Sequence, residues 1–307
     1  MRKNYGKTAP VLPDWGGKQL MKTAIVTDSN CGISKKEADK LGLFIIPMPV
    51  CIDDTFYYEG IDLDQETFFG SLSRHEKIYT SQPSPADLMT MWKEVLNGGY
   101  DELVYIPMSS GLSASCHTAC RIAEEFQGKV YVADVKRISV TQRHAVQDAL
   151  YLVSHNMEAA AIKEKLEKNA ANSIIFVGVD DMDYLKRGGR ITASAAAMAS
   201  ILNIKPLLTI GESKIDAYEK VRGRINCEKR LLSVMQEWAL RFKSQGYDIR
   251  LGIAGSFLNE TDLLDWYKRA KEIFPNDELL YDPLTCSISS HVGPNAFGMG
   301  LSVGITL

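Results

Sequence analysis

Short apolar runs alternate with amphipathic segments through the first half of the chain. Thr23–Thr27 is rich in β-branched residues and reads as a strand. Ser34 caps the helix that follows, with Glu37 three residues later completing a capping box. Phe44–Val50 is a second apolar run, and the acidic, aromatic stretch from Asp53 to Gly60 reads as an excursion or small hairpin. Ser84-Pro85-Ala86-Asp87 supplies a cap, a proline at the first helical position and an acid in the first turn. That helix should run to about Leu96, where Asn97-Gly98-Gly99 ends it. Leu103–Met108 and Lys129–Asp134 are predicted strands, Ser113 is predicted to cap the helix between them, and two helices fill Ser139 to Ala171.

Strands alternating with helices predict an α/β protein whose first domain is a doubly wound parallel sheet. From Ser173 the texture changes. Ile174–Val179 is followed by a Gly/Arg turn, a small-residue helix, and strands at Pro206–Ile210 and Lys214–Val221. A long helix at Cys227–Gln245, a strand at Arg250–Ala254, a helix at Glu260–Ile273 and a last strand run broken by a histidine loop complete the chain. This second α/β domain should carry a more antiparallel sheet. The expected division is 1–20 as an N-terminal extension, 21–172 as the first domain and 173–307 as the second. Ligands of doubly wound sheets bind in the crevice beyond the carboxyl ends of the strands.

Composition narrows the function classes. The 307 residues carry a net charge of −3, and no basic run is long enough to serve nucleic acid. No apolar stretch is long enough to cross a bilayer, so stable membrane insertion is not expected. Residues 1–20 lack the apolar segment of a signal peptide and read as an extension of no structural weight. The six cysteines are scattered, with no CxxC pair, as in a reduced, cytoplasmic protein. His117 and Cys120 share a helical spacing, but no further ligand cluster accompanies them; Cys120 is expected to pack inward and His117 to face solvent. No metal or cofactor is implied.

Hydroxyl-rich turns stand at the ends of the predicted strands: Thr27-Asp28-Ser29, Thr80-Ser81-Gln82-Pro83-Ser84 and Ser109-Ser110-Gly111-Leu112-Ser113. Hydroxyls and backbone N–H groups at helix starts receive an anionic oxygen without a metal, so the pattern points to a carboxylate or phosphate. His291 opens the run His291-Val292-Gly293-Pro294-Asn295-Ala296-Phe297-Gly298, whose Gly-Pro pair fixes a rigid loop. Taken singly these features are ordinary. Ser34, Ser84 and Ser113 are helix caps, Thr27-Asp28-Ser29 is an Asx-type turn, and the Ala-rich segment from Thr192 to Leu202 is close packing.

In combination they resemble the DegV family. The matching pieces come in family order: Thr27-Asp28-Ser29, Thr80 to Ser84, Ser109 to Ser113, Leu185-Lys186-Arg187-Gly188-Gly189-Arg190-Ile191, Lys205-Pro206-Leu207, Lys220-Val221-Arg222 and His291 to Gly298. The resemblance implies a two-domain carrier, not itself an enzyme. It would hold one long-chain fatty acid in an enclosed tunnel with its carboxylate at the domain junction, present that carboxylate to a separate fatty-acid kinase, then carry the acyl-phosphate. It further implies that Thr80, Ser113 and His291 bond the carboxylate, with Ser81 and Ser110 nearby. Arg187, Arg190 and Arg222 would face the phosphate or the kinase. Thr27, Ala196, Met198, Ile201, Leu202 and Gly293 are the candidates for the acyl tunnel. Small side chains leave room there and methionine adapts to its contents.

Three segments depart from the family pattern: Ala114-Ser115-Cys116, the run Val135 to His144, and Asn295. Within the second, Gln142, Arg143 and His144 are expected to narrow the pocket or add a polar contact, and so to favour a shorter or more polar ligand. A rival reading comes from Gly111-Leu112-Ser113-Ala114-Ser115, one residue short of a nucleophile elbow. With Asp180 and His291 it would make a serine hydrolase of lipid esters. Four residues separate Met108 from Ser113, which is long for an elbow, and no oxyanion loop is evident. A kinase activity of the chain itself lacks a Walker-type loop.

Overall fold

The computed structural model describes residues 21–198, 204–211 and 214–307. The predicted extension 1–20 and the tunnel candidates Ile201 and Leu202 lie outside the described residues. The first half runs β1 (Thr23–Asp28), α1 (Lys35–Leu41), β2 (Phe44–Ile46), β3 (Pro49–Ile52), β4 (Thr55–Tyr58), α2 (Gln65–Ser73) and β5 (Ile78–Thr80). It continues with α3 (Pro85–Asn97), β6 (Glu102–Ile106), α4 (Ser115–Ala123), β7 (Val130–Val132), α5 (Ser139–Ser154) and α6 (Ala159–Lys168). The second half runs β8 (Ser173–Gly178), α7 (Met182–Gly188), α8 (Ala193–Met198), β9 (Ile204–Ile210), β10 (Ile215–Arg222) and α9 (Arg224–Ser244). β11 (Ile249–Gly255), α10 (Glu260–Ile273), β12 (Leu279–Pro283), α11 (Cys286–Val292) and β13 (Phe297–Val303) close the chain.

The four-stranded sheet β2-β1-β6-β7 is wholly parallel, with apolar clusters on both faces. The six-stranded sheet β10-β9-β8-β13-β11-β12 is antiparallel except where β11 meets β12. Both sheets match the expected α/β architecture. The caps agree as well: Ser34 Oγ accepts from the Glu37 N–H at 3.2 Å, and Ser84 Oγ from the Asp87 N–H at 3.1 Å.

The Phe44–Val50 run does not form one strand. Pro47 cannot donate to a ladder, so β2 ends in the parallel sheet and β3 restarts in a separate antiparallel sheet, β4-β3-β5. The expected hairpin is its β3–β4 arm, turned by Asp53 and Asp54 at φ 45° and 63°. In this small sheet Thr80 pairs with Val50, which carries the Thr80 turn over the carboxyl ends of the parallel strands.

Two further expectations are corrected. The Gly/Arg turn is the end of helix α7, whose last carbonyls are closed by Gly189 in the left-handed conformation. The histidine is not on a loop: it occupies the last turn of α11, a helix capped by Thr285. Among the described residues, no helix is long and apolar enough to cross a membrane. None of the six cysteines is in a disulfide, and no cluster of metal-ligating side chains is present among the described residues. Cys120 faces solvent, as His117 does, and Cys116 is the thiol packed inward on α4.

Candidate functional site

An apolar cluster fills the space between the two large sheets, drawing Met48, Met108 and Ile138 from the first half and Ile175, Val177 and Val292 from the second. Within it lies a cavity of about 100 Å³. The carboxyl ends of the parallel strands open onto it through Asn30 after β1, Leu112 and Ser113 after β6, and Ser139 after β7.

Thr80, Ser81, Ser113, Arg190 and His291 all line this cavity. Thr80 Oγ1 and His291 Nε2 are 2.8 Å apart. Ser113 Oγ accepts from the Ser115 N–H at 3.2 Å, so it closes the turn before α4 while remaining on the wall; the cap residue of that helix is Ala114. Arg190 donates to the carbonyls of Leu112 (3.4 Å) and Gly188, which holds its guanidinium beside the histidine. Burial, reinforced by that charge, pushes the His291 imidazole down to about 4, so the ring is neutral at pH 7. Its Nδ1 is buried without a partner.

Two glycines set the position of the ring. A Cβ on Gly188 would stand 2.5 Å from His291 Nδ1, and one on Gly293 would stand 2.5 Å from the Tyr184 ring. Helices α7 and α11 therefore approach as closely as they do because neither position carries a side chain. Asn295 at φ 58° takes the left-handed turn that glycine would fill, and its side-chain oxygen accepts from the Leu258 N–H.

Other sequence-selected residues lie elsewhere. Ser110 Oγ accepts from Lys136 Nζ at 2.5 Å and is not on the cavity wall. Arg187 is exposed and stacks over Tyr184 at 4.8 Å, and Arg222 is exposed at the end of β10. Thr27 donates to the Ile106 carbonyl at 2.7 Å inside the parallel sheet. Ala196 packs half-buried against the cluster around the cavity, Met198 is half-buried at the end of α8, and Gly293 shapes the end of α11. Gln142, Arg143 and His144 point away from the cavity, against expectation. Gln142 bonds Thr27 and Asp28, Arg143 bonds Asp282 and Glu37, and His144 bonds Ser302.

The hydrolase relay is not assembled. Asp180 pairs with Arg224 at 2.9 Å, and His291 Nε2 meets Thr80 rather than Ser113. The sequence reading also missed Asn30, Gln82, Ser139, Ser287 and Ile288, all on the cavity wall. Ser287, Ile288 and His291 share a helical i, i+1, i+4 spacing, a signal hidden by reading that segment as a loop.

A family model described as "Uncharacterised protein, DegV family" matches residues 22–303. A DegV domain-containing protein of Staphylococcus aureus is 26% identical over 282 residues, 91% of this chain and 98% of its own. One of Streptococcus pneumoniae is 30% identical over 220 residues, covering 71% of this chain and 78% of its own. The fatty-acid-binding DegV protein of Thermus thermophilus superposes with a TM-score of 0.82 at 26% identity, covering 92% of this chain and 100% of its own. The fatty-acid-binding DegV protein of Bacillus subtilis does so with a TM-score of 0.81 at 26% identity, covering 92% and 99%. The chain belongs to the DegV family.

Proposed function

We propose that this protein binds a long-chain fatty acid with its carboxylate between Thr80, Ser113 and His291. The carrying observation is the Thr80–His291 pair, 2.8 Å apart on the wall of a largely apolar cavity. A buried carboxylate needs several donors, and the two hydroxyls with an imidazole N–H provide them. Ser81 and Arg190 border the same space. The related proteins named for fatty-acid binding support the same ligand class.

A cavity of about 100 Å³ is smaller than the engineered ~150 Å³ cavity that holds benzene, so an acyl chain enters by displacing side chains. Met48, Met108 and Met299 on its wall are the adaptable ones. Each buried CH₂ contributes about 0.8 kcal/mol toward that displacement. The finer parts of the proposal rest on the family resemblance. The head-group is offered to a separate fatty-acid kinase, the acyl-phosphate is then carried, and no cofactor takes part. Arg187 and Arg222, both exposed, would face that partner in the cytoplasm, with residues 21–172 and 173–307 acting as the two domains.

Mass spectrometry of an organic extract of the natively purified protein, before and after incubation with mixed fatty acids, tests the ligand class. A stoichiometric acid is expected, and Thr80→Ala or His291→Ala should weaken its retention without unfolding the chain. Wild-type retention in both variants sinks the head-group assignment. Labelling of Ser113 by a fluorophosphonate would replace the carrier with the hydrolase.

A further inference from the structure

The cavity holds polar groups in a second place, which the head-group assignment does not use. Asn30, 1% exposed, lines the wall from the turn after β1. Its Oδ1 accepts from Thr285 Oγ1 at 3.0 Å, but its Nδ2 meets only the thioether of Met108, a weak acceptor. Ser139, 9% exposed, opens α5 on the same wall with a left-handed backbone, φ 54°. Ser287, 5% exposed, stands one helical turn before His291 on α11 and also faces the cavity. Neither serine hydroxyl has a hydrogen-bond partner among the described residues.

The three side chains come from three elements that meet here. The turn at Ser29–Cys31 packs on α5, and Thr285, the cap of α11, is bonded to Asn30. Buried polar side chains are ordinarily satisfied, and the ones that are not call for an explanation. Packing alone gives no reason to place two free hydroxyls and an amide N–H on an apolar cavity. Their chemistry is specific. All three groups are neutral, so a second carboxylate would be buried with no counter-charge beside it. An alcohol oxygen both accepts and donates, and so can engage the Asn30 N–H and a serine oxygen together.

We propose, building on the fatty-acid assignment above, that the preferred ligand is a hydroxylated long-chain acid whose alcohol oxygen rests among Asn30, Ser139 and Ser287. His291 follows Ser287 by four positions along α11, a rise of about 6 Å. The hydroxyl therefore belongs on the carboxyl-proximal part of the chain.

The test is competition binding of stearic acid against a positional series of monohydroxystearic acids, on the wild type and on Ser139→Ala/Ser287→Ala. At least one isomer with a carboxyl-proximal hydroxyl should bind about tenfold tighter than stearic acid, the difference expected for one well-made buried hydrogen bond. The double variant should bring that ratio close to one. Ser287→Ala alone serves if the double variant does not fold, since alanine is the best helix former. If stearic acid binds and no isomer exceeds it, or if the preference survives both substitutions, the inference is overturned while the fatty-acid assignment stands. If no acid of either kind binds, both are overturned.

Discussion

The two sides of the first turn of α5 differ in one respect that decides their roles. Ser139 and its apolar neighbours Ile138 and Val140 face the cavity. Gln142, Arg143 and His144, a few residues on, face inward and reach Asp28, Asp282 and Ser302. Both groups are buried and both contain polar side chains. Those facing inward have partners, which makes them fasteners between strand ends; Asp28 in turn accepts from the N–H of Met108 at 2.7 Å. The serine facing the cavity has none. Residue type and burial therefore do not separate a structural polar group from a ligand-facing one. What separates them is that each inward side chain makes at least one bond to protein, although Gln142 Oε1 and Arg143 Nε stay buried without one, whereas Ser139 makes none.

The comparison breaks most sharply at Arg143. It lies between Asp282 at 3.0 Å and Glu37, and burial outweighs its attraction enough to push the Asp282 carboxyl up to about 7. Arg143→Met leaves that carboxyl buried without its cation, so urea unfolding should show a loss of about 3 kcal/mol. Lipid retained per folded molecule should stay at the wild-type level, because this cluster does not line the cavity. Lost retention at full stability would place the fasteners in the site.

Gly188→Ala probes the cavity side and should do the reverse. Alanine favours a helix over glycine by roughly 0.5–1 kcal/mol, so the fold should hold. The new Cβ meets His291 Nδ1 at 2.5 Å, which must turn the ring away from Thr80. Retention should fall about tenfold or more, equivalent to ~1.4 kcal/mol. Unchanged retention would show that the ring's position does not matter to the head-group.

The smallest effect is one of pH. His144 is held down to about 3, first by burial and then by neighbouring arginines, against 6.5 when unfolded. As pH falls the unfolded chain takes up this proton first. The contribution is whole above 6.5 and is lost progressively toward 3. The raised carboxyls of Asp28 and Asp282 tilt the other way, so the readout is wild type against His144→Gln. The variant should lose less stability between pH 7 and 5, by at most ~1.4 kcal/mol per pH unit. Parallel curves would mean that His144 is not buried neutral.

Much of this was legible in the chain because it rests on local rules. Ser34 and Ser84 announced their helices through caps, the stretch from Asp53 to Gly60 an excursion or small hairpin, and the β/α alternation a parallel sheet whose carboxyl ends form the crevice. Thr80, Ser81 and Ser113 stand in the hydroxyl-rich turns and His291 opens the C-terminal Gly-Pro run, and all four line one cavity. What escaped depends on direction. Ser110 and Ser113 stand in one turn, yet one meets Lys136 and the other the cavity. Arg187 and Arg190 are three residues apart, and only the second turns inward.

The sequence by itself determined the α/β alternation, the helix caps, the family and the residue types available to receive an anion, since periodicity, capping and turn chemistry act over a few residues. The tertiary structure alone decided that the Phe44–Val50 run divides between two sheets, that Gly188 makes room for the His291 ring, and that Asn30, Ser139 and Ser287 line one cavity. These three come from far-apart parts of the chain. Whether a buried hydroxyl finds a partner is settled by what packs against it, which no local pattern encodes.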